Sequence, residues 1–255
     1  MIAILSPAKT MDFEHELKFE GRSSVRFEKE SKQLIRKLQE YDVNGLKKLM
    51  GISDKLAQLN MERFSQWHWP FNEKSTRPAL FAFRGEVYTG LDADSLDEKA
   101  IAYAQNHIRI LSGLHGLLRP LDHILPYRLE MGTKLNLGKA KDLYTFWGEK
   151  ISKALNEDLA AQGDDVLVNL ASNEYFRAIH HKTLKARIIH IHFKENKGGQ
   201  YKVVTFFAKN ARGRMARFLA EERLRDPEHL KGFSEDGYIF HPGLSKPNEL
   251  TFTRG

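Results

Sequence analysis

The chain of 255 residues contains no cysteine. Disulfides, thiol nucleophiles, thiolate metal sites and cysteine redox sensing are therefore excluded within it, and any part it plays in oxidative stress has to be indirect. It has no apolar run approaching the ~20 residues that a membrane span needs. Internal repeats, low-complexity tracts and long linkers are absent too. The opening "MIAILSPAKT" carries neither a basic leader nor a small-residue cleavage site; it reads as a first strand, and the cytoplasm is the expected location. The glycine-rich G-x-x-x-x-G-K-[ST] frame of a P-loop is missing, as is the H-E-x-x-H frame of a zinc protease.

What remains is an ordinary globular composition with a basic bias. The 41% hydrophobic and 29% charged fractions are typical of soluble domains. The net charge of +7 favours polyanionic partners such as nucleic acids, nucleotides or anionic surfaces, although many soluble proteins are moderately basic without binding any of them. Strand-like runs fall at 1–6, 79–84, 108–111, 165–170, 187–193, 202–207, 237–240 and 249–253, short, rich in β-branched or aromatic residues and bounded by Gly, Pro, Asn or Asp. Helical spacing marks 26–40, 44–50, 54–66, 95–105, 142–161, 172–179 and 208–225. Lys197-Gly198-Gly199 supplies the positive φ of a tight hairpin. The elements lack the regular βαβ beat of a doubly wound fold. The expected architecture is one mixed α/β domain over 1–255, α+β-like, a mixed sheet flanked by helices, with 14–75 as a candidate helical subdomain.

Two basic segments stand out. "GLKKLMGISDKLAQLN" follows the helix-hairpin-helix pattern L-x-x-L-x-G-h-G-x-x-x-A, with Leu46, Leu49, Gly51, Ile52 and Ala57 in the matching places. Gly51 suits a tight inter-helix turn, and Ile52 would anchor it in the core. Free amides at the start of the second helix would face a phosphate, assisted by Lys47, Lys48 and Lys55. Ser53 replaces the second glycine, and Asp54 sets a carboxylate where a phosphate would approach; the competing reading is a plain helix corner with Ser53 as N-cap. The second segment, "AKNARGRMARFLAEERLR", carries Lys209, Arg212, Arg214 and Arg217 on a helix whose buried stripe is Ala211, Met215, Phe218 and Leu219. Its acidic end reads as an ion-paired surface, and its first half as a phosphate patch or plain surface charge.

A third set is scattered. Lys9 and Thr10 follow the first strand, and two R-x-E pairs, Arg84/Glu86 and Arg128/Glu130, recur beside glycines. In extended backbone the members of each pair share a face, as an ion pair or as a cation beside an acid/base. Convergence of these residues with Lys209 in a deep pocket would favour an enzyme acting on a small anionic or nucleotide-like substrate. A long shallow groove that includes Ser53 would favour DNA. His190 and His192 alternate on a strand but lack a third ligand at a recognisable spacing, so neither a metal site nor a cofactor is expected.

The strings "ILSPAKTMDF", "FRGEVYTGL", "LSGLHGLLRPLD", "PYRLEMG", "DLYTFWG", "VNLASNEYF", "FFAKNARGRMARF" and "GFSEDGYIF" run in order nearly end to end. Together they resemble the YaaA family of bacterial peroxide-stress proteins. The resemblance implies a cytosolic protein that limits peroxide damage and is linked to lower free iron. It also implies a single-domain α/β fold of unusual topology, whose basic cleft and helix-hairpin-helix bind double-stranded DNA. No membrane or disulfide partner is expected, and a monomer is favoured.

Overall fold

Burial, more than propensity, decides which runs become strands in the structure, a computed structural model describing residues 1–17, 19, 21–71 and 73–255. One sheet holds, in order, Ile239–Phe240, Glu249–Arg254, Arg187–Lys197, Val166–Asn169, Ile2–Leu5, Ile108–Ser112 and Gly116–Leu118, with Gln200–Lys202 paired to the end of Arg187–Lys197. The strands from Glu249–Arg254 through Ile108–Ser112 run parallel, and the antiparallel pairings lie outside them. Every residue of Ile2–Leu5, Ile108–Ser112 and Val166–Asn169 is buried, as expected of parallel strands covered on both faces. Glu98–His107 leads into Ile108–Ser112, and Lys150–Gln162 leads into Val166–Asn169. A βαβ beat therefore exists at the centre of the mixed sheet, hidden in the sequence by the length of the crossovers.

The expected strands at 1–6, 108–111, 165–170, 187–193 and 249–253 are present, and the Gly198-Gly199 hairpin forms with φ of 61° and 84°. Three expectations are corrected. In the run 79–84, Ala79–Ala82 forms a helical turn and only Phe83–Arg84 is extended; all four helical residues are buried, so no period distinguished the two states. The run 202–207 leaves the sheet after Lys202, and Thr205–Glu221 is a helix, its aromatic start overridden by packing of Ala208 and Ala211. The helix at 142–161 breaks at Gly148, whose φ of 48° lies outside helical geometry, giving Leu143–Trp147 and Lys150–Gln162. Trp147 is fully buried beside the break, and its indole N–H donates to the Gly113 carbonyl at 2.9 Å.

The helices Glu28–Leu38, Val43–Met50 and Asp54–Ser65 share the core of the sheet through Leu34, Leu46, Ile52 and Phe64. An ion cluster fixes the segment that leads into Glu28–Leu38. Arg109, on Ile108–Ser112, donates to Asp158 at 2.6 Å, and Arg26 shares that carboxylate while reaching the Ala154 carbonyl at 3.0 Å.

The chain order around the centre creates the site. From Ile2–Leu5 the chain next joins the parallel set at Ile108–Ser112, on one side. From Val166–Asn169 it rejoins at Arg187–Lys197, on the other. The carboxyl ends of these two neighbouring strands therefore diverge at a switch point, the place where open α/β sheets leave a crevice.

Candidate functional site

A cleft of about 600 Å³ opens at that switch point. Its walls come from residues 6–10, 84–88, 127–130, 170 and 172–175, with Lys209 and Arg212 closing one side. Hydroxyl and amide contacts hold the two strand ends together: the Ser172 amide donates to Ser6 Oγ at 2.9 Å, and the Tyr88 hydroxyl donates to the Ser6 carbonyl at 3.1 Å. The Tyr127 and Ser112 hydroxyls lie 2.6 Å apart. Burial pushes the Tyr88, Tyr127 and Tyr175 phenols well above their ordinary range, so they remain protonated.

Lys209 and Arg212 reach the cleft because two helices approach unusually closely. Thr205–Glu221 lies against Glu86–Leu91 with a glycine on each side of the contact. A Cβ at Gly213 would sit 1.8 Å from the Val87 carbonyl oxygen, and one at Gly90 would sit 2.1 Å from that of Asn210. Only hydrogen fits at either position.

The charges in the cleft divide into paired and unpaired groups. Lys9 and Arg128 both engage Glu130, at 3.1 and 2.8 Å. Arg84 turns away from Glu86 to Asp94 at 3.1 Å, to the His15 ring and to Asp12. The amide of Glu14, then the amide and ring of His15, hold the Asp12 carboxyl well below the ordinary range against the cost of burial. The expected Arg84/Glu86 pair is thus absent: Glu86 starts a helix at Gly85, whose φ of 145° ends the extended backbone that would have put both side chains on one face. The Arg128/Glu130 pair forms. Among the described residues, Glu86, Lys209 and Arg212 have no hydrogen-bond or ion-pair partner. Arg212 is half-buried, and burial pulls its guanidinium below its usual affinity for a proton. Thr10, in a two-residue ladder with Arg84, completes the rim.

A more open groove adjoins the cleft and shares Glu130 and Glu174 with it. Its other walls include Lys48, Met50, Gly51 and Lys134, so it runs to the turn between Val43–Met50 and Asp54–Ser65. Gly51 is left-handed, with φ 62° and ψ 44°, and a Cβ there would meet nothing within 4 Å. The glycine is needed for its torsion, not for space. Ile52 is buried, and Ser53 caps the second helix by accepting the Leu56 amide at 3.4 Å. Lys47 pairs with Asp54 at 2.8 Å, neutralising a carboxylate in the first turn of the second helix.

The remaining sequence candidates lie apart from both cavities. Arg217 caps the carbonyls of Leu91 and Asp92, at 3.1 and 2.9 Å, and pairs with Glu221; Arg214 bonds Asn210 and approaches Glu235. Phe218 is half-buried, not part of a fully buried stripe. Lys55 and Ser53 line neither cavity. His190 and His192 share a strand face with ring centroids 6.4 Å apart, and burial lowers the proton affinity of both. Among the described residues no group of three or more His, Asp or Glu side chains converges as a metal site would need. No helix among them is long and apolar enough to cross a membrane. Sequence reasoning missed Tyr88, Lys134 and Glu174, which carry no local motif; the switch-point topology is the signal that would have found Tyr88 and Glu174.

The blocks that line the cleft belong to a recognisable lineage. The family model described as peroxide stress protein YaaA matches residues 1–244. The chain belongs to the YaaA family. A UPF0246 protein of Hahella chejuensis (strain KCTC 2396) is 49% identical over 254 residues, covering 100% of this chain and 99% of the relative. A role in the response to peroxide stress follows from membership of the YaaA family.

Proposed function

We propose that this protein acts in the cytoplasm during peroxide stress by binding duplex or distorted DNA, with the backbone phosphates lying along the groove from the Gly51 turn into the switch-point cleft. The observation that carries the reading is continuity: the groove bearing Lys48, Gly51 and Lys134 meets the cleft bearing Lys209 and Arg212 at Glu130 and Glu174. Lys48 and Lys134 at one end of that track, and Lys209 and Arg212 at the other, have no ion-pair partner among the described residues, and the net charge of +7 adds long-range attraction. Contacts of this kind engage phosphates and not base edges, so binding is tolerant of sequence and sensitive to salt. Lowering of free iron is then an indirect consequence.

Fluorescence anisotropy with a labelled duplex over a salt series tests this. The logarithm of affinity should fall linearly with the logarithm of salt, and Lys48→Glu with Lys134→Glu should flatten that slope by about 2, one phosphate for each lysine. An unchanged slope in the double variant overturns the assignment of the groove.

A second reading is favoured by one feature. The cleft is a deep pocket that gathers Lys9, Arg84, Glu86, Arg128, Glu130 and Lys209, and Ser53 lines neither cavity. Such a pocket suits a small anionic ligand better than a long phosphate track does.

A further inference from the structure

The unpaired charges in the switch-point cleft are of both signs. Arg212 is half-buried without a counter-ion among the described residues, Lys209 lies one helical turn before it, and Glu86 offers a free carboxylate to the same cavity. A guanidinium stays charged in proteins, so leaving it half-desolvated and unpaired is costly unless a ligand supplies the anion. We propose that this cleft holds one nucleoside monophosphate, its phosphate on Arg212 and Lys209 and an amino or hydroxyl donor of the base or sugar on Glu86.

Four features select this class. Inorganic phosphate would satisfy Arg212 but leave Glu86 without a partner, so the ligand must extend from an anionic end to a hydrogen-bond donor. A volume of about 600 Å³ suits a ligand of nucleotide size, and an amino acid would leave most of it empty. The apolar Val87, Leu129 and Leu170 line the cleft, giving a base surfaces to pack on. The position outside the carboxyl ends of parallel strands at a switch point is where such sheets bind nucleotides. The nucleotide can arrive free or as a residue extruded from a bound duplex; only the second source rests on the DNA reading.

Isothermal titration of the full chain with each of the four deoxynucleoside 5′-monophosphates, with the matching nucleosides and with inorganic phosphate tests the assignment. At least one monophosphate should bind about tenfold or more tightly than either its nucleoside or phosphate. Arg212→Gln should weaken it by about tenfold or more, as expected for loss of a charge-assisted contact. Lys209→Ala should weaken it less, and Glu86→Gln should lower the preference over inorganic phosphate. Because the Arg212 side chain makes no hydrogen bond or ion pair among the described residues, Arg212→Gln should melt at or above the wild-type temperature, which separates loss of ligand from loss of fold. Phosphate binding as tightly as every monophosphate, or a monophosphate affinity indifferent to both Arg212→Gln and Lys209→Ala, overturns the proposal. For the source, a duplex with one unpaired extrahelical nucleotide is compared with its fully paired counterpart. Tighter binding of the former that vanishes in Arg212→Gln supports an extruded residue; equal binding supports the free nucleotide. If monophosphates bind but duplex does not, the DNA reading fails and the pocket stands; the converse result removes the pocket and leaves the DNA reading.

Discussion

The Gly51 hairpin and the switch-point cleft are both basic, yet they dispose of their charge in opposite ways. In the hairpin, Lys47 is neutralised by Asp54 seven residues on, and Ser53 spends its hydroxyl on a cap. Lys48 alone of its lysines reaches the groove. In the cleft, Lys9 and Arg128 are matched by Glu130, but Arg212 and Lys209 pair with no acid among the described residues, although Glu86 lines the same cavity. A local motif quenches its own charge because acid and base are within reach along the chain. A site assembled from distant segments can leave a cation unmatched, since no one segment contains the balance. On the proposed functions the Gly51 turn gives a modest, salt-sensitive grip and the cleft takes a specific anion.

That contrast can be attacked from several directions. The largest effect should come from Asp158→Ala, which strands Arg109 in the core and frees Arg26; loss of one partner of a buried ion cluster costs about 3–5 kcal/mol. Urea unfolding should show it as a lower unfolding free energy of the whole domain. Next is Gly213→Ala. Its methyl would overlap the Val87 carbonyl, forcing two helices apart at a cost of about 1–3 kcal/mol or more. Nucleotide binding in the cleft should drop while duplex binding through Lys48 and Lys134 persists; equal losses would erase the distinction between the regions.

Acid should act at the seam between them. His115 is fully buried, its ring against Tyr127 of the cleft wall and its Nδ1 3.0 Å from Ser31 on the helix that precedes the hairpin. Burial lowers its pKa to about 3. Below the ordinary value near 6.5 the unfolded chain takes up a proton that the folded protein refuses, so stability is full above that pH, falls as pH drops toward about 3, and levels off beyond. Between pH 7 and 5 the loss from this residue should be about 2 kcal/mol. Unfolding free energies at those two pH values should converge in His115→Gln, and an undiminished pH dependence would assign the effect elsewhere.

Smaller changes probe the hairpin by itself. Gly51→Ala must hold a left-handed torsion in open space, costing roughly 1 kcal/mol, and should disturb duplex binding but not nucleotide binding. Asp54→Asn releases Lys47 and removes a carboxylate from a helix N-terminus. Duplex affinity at low salt should rise roughly 2- to 5-fold; a fall would mean that the Lys47–Asp54 pair organises the turn.

The turn between Val43–Met50 and Asp54–Ser65 was legible in the chain because its requirements are local: a glycine for one torsion, apolar residues at helical spacing and the Ser53 cap of a helix corner. The buried strands were legible for a similar reason, since Ile2–Leu5 and Val166–Asn169 are short β-branched runs between turn residues. Ala79–Ala82 was not, because a run buried on every side carries no period. Glu86–Leu91 was missed as a helix and read through the R-x-E spacing of its first residues, which holds only in extended backbone. The sequence marks Lys9, Arg84, Arg128 and Lys209 as candidates, but it offers no way to tell which of them an acid consumes.

Amino-acid order alone determined the absence of thiol chemistry, the family and local turns such as those at Gly51 and Gly198-Gly199, because these depend on composition and on neighbours a few residues apart. The tertiary structure decided which charges are free. Glu130 lies beside Lys9, and Arg84 beside His15, only because the sheet folds their segments together. Arg212 faces the cleft only because Gly90 and Gly213 let two helices approach to van der Waals contact. Electrostatic pairing depends on distance in space, and separation along the chain does not report it.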